Sequence, residues 1–281
     1  MKHISVKTTK SRSITATYFE PNHSNGKTVI IAGGVGLPQR FFFNFASFLA
    51  EKGCNAYTFD YRDIALSKTM KISKSDSNYK DWAQDFKSVT LFAKESHPND
   101  TLLHVGHSFG GNSLGLSDAY QHFECSLMIG SQYGYYRNFP LNMQLAILAG
   151  FGIVAPLSSY TLGYFPAKQL GLGEPLPKQI ALDWGTLLLH KRSMLAIADK
   201  YEENHYHNIE NSMLLISLDD DNFAPKKSVD ALADKAFKNA PVERIHILPS
   251  DYGLRQIGHN DFFRKKNKEH LWHIATDWFQ L

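Results

Sequence analysis

Apolar residues along this chain follow two patterns that take turns. Continuous apolar, β-branched runs recur at 28–32, 56–59, 102–105, 125–129, 213–217 and 245–248. Runs of this length predict strands buried on both faces. Between them the apolar positions take helical spacing: Phe42, Phe45, Ala46 and Leu49; Trp82, Phe86, Val89 and Ala93; Val229, Leu232, Ala233 and Ala236; Leu271, Ile274, Ala275 and Trp278. Two short strands, 3–8 and 14–19, flank a Lys10-Ser11-Arg12 turn and predict a sheet edge. Strands alternating with helices predict an α/β fold with a mostly parallel central sheet flanked by helices.

The alternation breaks between 134 and 210. The expected organisation is a core from 1–133 and 211–281, with 134–210 inserted as a helical cap beyond the carboxyl ends of the strands, where open α/β sheets bind ligands. No charged residue occurs from Asn138 to Ala167, and 145–157 is almost wholly apolar. A membrane span needs about 20 apolar residues. Asn142, Gln144, Gly150, Gly152 and Pro156 interrupt this stretch. A single span would also separate the last strands from the first by a bilayer. The expectation is therefore no transmembrane span, but a cap whose apolar inner face lines a pocket. Packing on itself or on a second subunit, as a homodimer, is the alternative.

Composition narrows the class. With 281 residues, 43% apolar and 20% charged, the chain can bury a full core and reads as an ordinary globular protein. A formal charge of +3 is too small and dispersed to point to nucleic acid. The cluster Lys265-Lys266-Asn267-Lys268 reads as a solvated helix start. Cys54 and Cys125 stand at the starts of apolar runs and read as buried strand thiols, not as a disulfide framework. With no apolar stretch behind Met1, the expected location is the cytoplasm.

The candidate chemistry lies where the run at 102–105 ends, in Gly106-His107-Ser108-Phe109-Gly110. Gly-x-Ser-x-Gly between a strand and a helix places a serine at the tip of a strained turn, where neighbouring side chains would collide. The turn aims the Phe109 N–H and the helix N-terminus at an oxyanion. A serine hydroxyl needs a histidine to take its proton, and the histidine needs a carboxylate to fix its tautomer. On this architecture the order is serine, acid, histidine. Strand 213–217 runs into Asp219-Asp220-Asp221, and the last strand is followed by Gly258-His259. Asp221 stands four residues before Pro225, an Asp-x-x-x-Pro spacing common after this strand in serine hydrolases. It is the first choice for the acid, Asp220 the alternative and Asp219 a loop or capping residue.

His259 is preferred among 13 histidines for its chain order, its Gly258 neighbour and its place after the last strand. His104 and His246 lie within strands and read as structural, and His107 occupies the variable elbow position. The pairs His205/His207 and His270/His273 lack convincing metal-ligand spacing, so no metal is expected. The second oxyanion donor is expected from Gly33-Gly34-Val35-Gly36, from Gly34 or, preferred, Val35. These glycines match no phosphate-loop pattern, so no nucleotide cofactor is expected.

With these residues in place, the chain resembles an α/β-hydrolase over nearly its whole length. It is most similar to predicted bacterial α/β-hydrolases with a serine-aminopeptidase-like or lysophospholipase-like core. The likeness is carried by Val35-Gly36-Leu37-Pro38-Gln39-Arg40-Phe41, Gly130-Ser131-Gln132-Tyr133-Gly134-Tyr135-Tyr136 and Ile257-Gly258-His259-Asn260-Asp261-Phe262-Phe263-Arg264. Where related chains tend to read Asp-Tyr-Arg-Gly-x-Gly-x-Ser, this one has Asp60-Tyr61-Arg62-Asp63-Ile64-Ala65-Leu66-Ser67, which leaves that turn's conformation open. The residues and the resemblance together predict a serine hydrolase with a Ser108, Asp221, His259 triad, cleaving a carboxylic ester or related small acyl compound through an acyl-enzyme, with an apolar acyl substrate expected from the uncharged cap. An acyltransferase or thioesterase with the same triad, and a non-catalytic ligand-binding protein, are the alternatives.

Overall fold

A computed structural model describes residues 1–281. In chain order the strands are β1 Lys2–Lys7, β2 Ser13–Phe19, β3 Lys27–Ala32, β4 Asn55–Phe59, β5 Thr101–His107, β6 Phe123–Ile129, β7 Tyr164–Phe165, β8 Leu176–Pro177, β9 Ser212–Leu218 and β10 Val242–Ile247. The α-helices are α1 Phe43–Glu51, α2 Tyr79–Ser96, α3 Phe109–Asn112, α4 Leu141–Ala149, α5 Ala155–Leu162, α6 Lys178–Leu189, α7 Ser193–Lys200, α8 Lys226–Lys235, α9 Lys268–Leu271 and α10 His273–Phe279. Eight strands form one sheet in the order β1-β2-β4-β3-β5-β6-β9-β10. The pairs β1/β2 and β2/β4 are antiparallel and the remaining pairs parallel. This mostly parallel, helix-flanked sheet is the predicted α/β-hydrolase architecture. β7 and β8 pair separately, within the long connection from β6 to β9.

The strand periodicity of two explains how one sheet serves two cores. On β3, Ile30 and Ala32 join the core beneath α2, whereas Val29 and Ile31 join the core beneath α1 and α10. On β9, Met213 and Leu215 take the first side, and Leu214, Ile216 and Leu218 the second. Trp82, Phe86, Val89 and Ala93, spaced to share one face of α2, are all fully buried. The start of α2 is a capping box: Asn78 accepts from the Asp81 N–H, and the Asp81 carboxylate accepts from the Asn78 N–H. Cys54 is buried as expected; Cys125, in β6, is only half-buried.

The turn after β4 is where this chain lacks two glycines, and it keeps the left-handed backbone nonetheless. Asp63 has φ 67° and Ala65 φ 40°. Polar contacts hold it there. The Asp63 carboxylate pairs with Arg12 and accepts from the Ser75 and Ser77 hydroxyls, each at 2.6 Å. Next to it, buried Arg62 pairs with Asp85 at 2.6 Å and Asp81 at 3.2 Å, and donates to the Thr8 and Thr9 hydroxyls. Burial keeps the Asp85 carboxyl above its usual value, against the pull of the Arg62 guanidinium.

Candidate active site

The strand order reverses between β3 and β5, so the loops leaving their carboxyl ends diverge and open a crevice. Ser108 follows β5 directly, with φ 53° and ψ −117°. A residue other than glycine holds this left-handed conformation only when its surroundings over-determine it. Here three glycines allow that. A Cβ on Gly110 would fall on the Ala32 carbonyl oxygen, one on Gly106 on the Gly111 backbone, and one on Gly111 on the Ser131 hydroxyl. The Ser108 N–H donates to the Ile129 carbonyl at 3.0 Å, which ties the turn to β6.

The loop after β3 faces the elbow. A Cβ on Gly34 would approach Ser108 Cβ at 3.2 Å and His107 Nδ1 at 3.0 Å, so Gly34 is small because the elbow passes against it. Gln39 anchors the far end of this loop. Its N–H and side-chain amide donate to buried Asp60 at 2.7 and 3.0 Å. Burial pushes the Asp60 carboxyl up, against the pull of these donors.

Each of the three adjacent aspartates has its own contacts. Asp219 is exposed, 3.3 Å from His246 Nε2. Asp220 accepts from the Ile257 and Gly258 N–H groups at 2.8 and 2.9 Å and so clamps the backbone of the histidine loop. Asp221 is buried; its Oδ2 lies 2.7 Å from His259 Nδ1, and its Oδ1 accepts from the Phe223 and Ala224 N–H groups at 2.8 and 2.9 Å. Burial pushes the Asp221 carboxyl up, but His259 and the two amides outweigh it and hold it below the usual carboxylate value. A carboxylate on Nδ1 leaves Nε2 as the imidazole's free nitrogen. Gly130, at φ 62° beyond β6, lies beneath this pair, where a Cβ would meet the His259 ring at 3.1 Å and Asp221 Oδ2 at 3.3 Å.

Ser108, Phe109, Val35, Gly34 and His259 line one cavity of about 250 Å³. The Ser108 hydroxyl is not hydrogen-bonded to His259 in this structure. Leu172, Trp184 and Leu187, from the connection between β6 and β9, form part of the apolar wall. No residue from 138–167 lines the cavity, so the expectation that the uncharged stretch forms the pocket wall is corrected. The helix built from that stretch turns most of its large side chains outward, with Met143, Ile147 and Phe151 as the inward exceptions. The pocket is reached instead by a loop strapped to the glycine-rich one, where the Glu174 N–H donates to the Gly36 carbonyl at 2.8 Å.

The elbow histidine is more than a variable position. His107 is buried against Phe42, Phe263 and the His259 ring, at centroid separations of 5.8, 5.4 and 4.8 Å. Its Nε2–H donates to the His259 carbonyl at 3.0 Å, which fixes the loop that presents His259. Burial and then the neighbouring His259 lower its pKa to about 3. Its place next to the serine, in a motif whose flanks must be buried, was the available signal. His104, buried in β5, is lowered to about 3 by burial as well.

Solved structures share this fold over the whole chain. A carboxyl esterase from Bacillus coagulans, in complex with glycerol, superposes with a TM-score of 0.65 at 11% identity, covering 99% of this chain and 97% of the other. An esterase from Exiguobacterium antarcticum gives 0.63 at 12% identity, covering 100% of both chains. An esterase from Pyrococcus furiosus gives 0.60 at 15% identity, covering 99% and 91%. No protein-family model and no curated protein matches the sequence. At these identities the likeness establishes the α/β-hydrolase fold.

Proposed function

We propose that this α/β-hydrolase-fold protein is a serine hydrolase that cleaves carboxylic esters of short acyl chains through an acyl-enzyme. The observation that carries this reading is a single cavity holding a left-handed elbow serine and a histidine whose other nitrogen is bound by a buried carboxylate. Esterase activity in the structural neighbours supports the same class.

On this reading Ser108 Oγ attacks the acyl carbonyl while His259 Nε2 takes its proton. The reaction needs the hydroxyl within hydrogen-bond reach of Nε2 once substrate is bound, a contact that is often longer in the free enzyme. The Val35 and Phe109 amides receive the oxyanion. His259 then protonates the leaving alcohol, the acyl-enzyme forms, and water repeats the cycle in reverse to release the acid. Asp221 holds the imidazole in the required tautomer, with Asp220 keeping the loop in place. Residues 134–210 act as the cap that closes the apolar side of the pocket. A cavity of about 250 Å³ falls just below the range of roughly 300–1,000 Å³ usual for small-molecule sites, which favours short acyl groups.

The test is labelling with a fluorophosphonate and turnover of a chain-length series of p-nitrophenyl esters. The parent protein is expected to label at Ser108 and to prefer the shorter esters. Ser108→Ala is expected to lose labelling and about 10⁶-fold in turnover. Undiminished labelling or turnover by Ser108→Ala overturns the assignment.

A further inference from the structure

The stretch from Leu141 to Leu162 forms one continuous 22-residue helix, made of α4, a π-helical turn at Gly150–Val154, and α5, and its most apolar 18-residue window has a mean hydropathy of 1.7. The π turn accommodates Pro156, which has no N–H to place in a regular ladder. The helix is apolar on its outer face as well as on its inner one. Met143, Ile147, Phe151, Ala155 and Ser159 face inward, whereas Leu141, Leu145, Ile153, Leu157 and Tyr160 are 71, 62, 64, 62 and 67% exposed. A contiguous apolar face of this kind marks a docking surface.

The charge around it identifies the occupant. The helix carries no charged residue, and cations without an ion-pair partner stand at both ends. At the first end, Arg137 is exposed beside Tyr136, and Lys227 Nζ donates to the Arg137 carbonyl at 3.2 Å. At the second, a Cβ on Gly163 would meet Ser73 at 3.2 Å, and Ser73 lies between Lys71 and Lys74. Lys178 Nζ sits 4.0 Å from the centroid of the exposed Tyr160 ring. The acids on neighbouring segments are already paired, Asp76 with Lys10 and Glu174 with Arg40.

We propose that this face docks the protein on an anionic lipid surface, with the helix lying in the plane of the interface. Apolar side chains flanked by lysine and arginine are the composition that such interfacial helices present to headgroups. The helix does not cross the bilayer. At 1.5 Å per residue it is about 33 Å long, and Phe139 before it and Phe165 after it are buried in the same core. A second copy fits less well, because it would bury one cation-flanked face against another. Docking would reach the cavity through Phe151, whose ring centroid is 4.7 Å from that of the cavity-lining Trp184.

The experiment is flotation with vesicles of phosphatidylcholine alone and of phosphatidylcholine mixed with phosphatidylglycerol. It is read without catalysis, so its outcome is independent of the hydrolase assignment. The parent protein is expected to float with the anionic vesicles only, less so in high salt. Lys71→Ala and Lys178→Ala are each expected to weaken binding about fivefold. The triple variant Leu145→Ser, Ile153→Ser, Leu157→Ser is expected to lose flotation with its melting temperature unchanged. The proposal is overturned if the parent floats with neither vesicle or equally with both, or if the triple variant floats as well as the parent. It is equally overturned if the parent is a dimer that Leu145→Glu converts to a monomer, since a second copy then covers the face.

Discussion

The Ser108 elbow and the helix Leu141–Leu162 both contain glycines, and the surroundings of those glycines could hardly differ more. A Cβ on Gly106, Gly110 or Gly111 would run into backbone or a buried hydroxyl, whereas nothing lies within 4 Å of a Cβ on Gly150 or Gly152. The elbow is close-packed because it must hold a strained serine against the sheet. The helix is open on its outer side because nothing in the chain covers it. One region therefore translates small side-chain changes into lost geometry, and the other absorbs them.

The sharpest way to probe the packed region is electrostatic. Asp221→Asn preserves shape but offers His259 the wrong partner, so kcat/KM for a short ester is expected to fall about 10⁴-fold with KM little changed. A loss under about tenfold would mean that the acid role lies elsewhere. Steric change comes next. Gly110→Ala places a methyl group on the Ala32 carbonyl oxygen and is expected to destabilise the fold by about 3 kcal/mol or more, measured by urea unfolding. Near-parental stability would show that the elbow relaxes.

The buried histidines give a pH signature. His104 and His107 are lowered from 6.5 to about 3, so between these values the unfolded state binds protons that the folded state refuses. Their stability contribution is complete above 6.5 and is lost as pH falls toward 3, at about 1.4 kcal/mol per pH unit for each ring. His107→Gln keeps a donor for the His259 carbonyl but removes one titrating ring. Between about pH 7 and about pH 5 it is expected to lose about 2 kcal/mol less stability than the parent in urea unfolding. Identical pH profiles would mean that His107 is protonated without cost. The smallest effect belongs to the open region. Gly152→Ala is expected to stabilise by about 0.5–1 kcal/mol, read as a rise in melting temperature, because only the backbone entropy of the unfolded chain changes. A marked loss would reveal a hidden contact on that face.

Much of the scaffold was legible from short-range patterns. Burial on both faces made β3, β5 and β9 readable as apolar runs, and the capping box and the Trp82, Phe86, Val89, Ala93 spacing made α2 readable. The turn at Asp63 and Ala65 was not. Its glycine-free sequence is compatible with other conformations, and what holds it left-handed comes from Arg12 and from Ser75 and Ser77, at other points in the chain. That the helix from Leu141 turns away from the cavity was not legible either, because a run apolar on nearly every side carries no periodicity to tell an inner face from an outer one.

Local patterns in the chain were enough for the order of strands and helices, the two-sided burial of the central strands, and the steric need for glycine around Ser108. These follow from φ/ψ preferences and side-chain periodicity, which act over a few residues. It took the assembled fold to set Asp221 facing the imidazole while Asp220 holds the loop backbone, His107 bonded to the His259 carbonyl, and the uncharged helix facing outward. Adjacent aspartates have the same chemistry, and loops that meet across a sheet are separated by dozens of residues. Their pairing is set by where the strands end in space, and no local pattern records that.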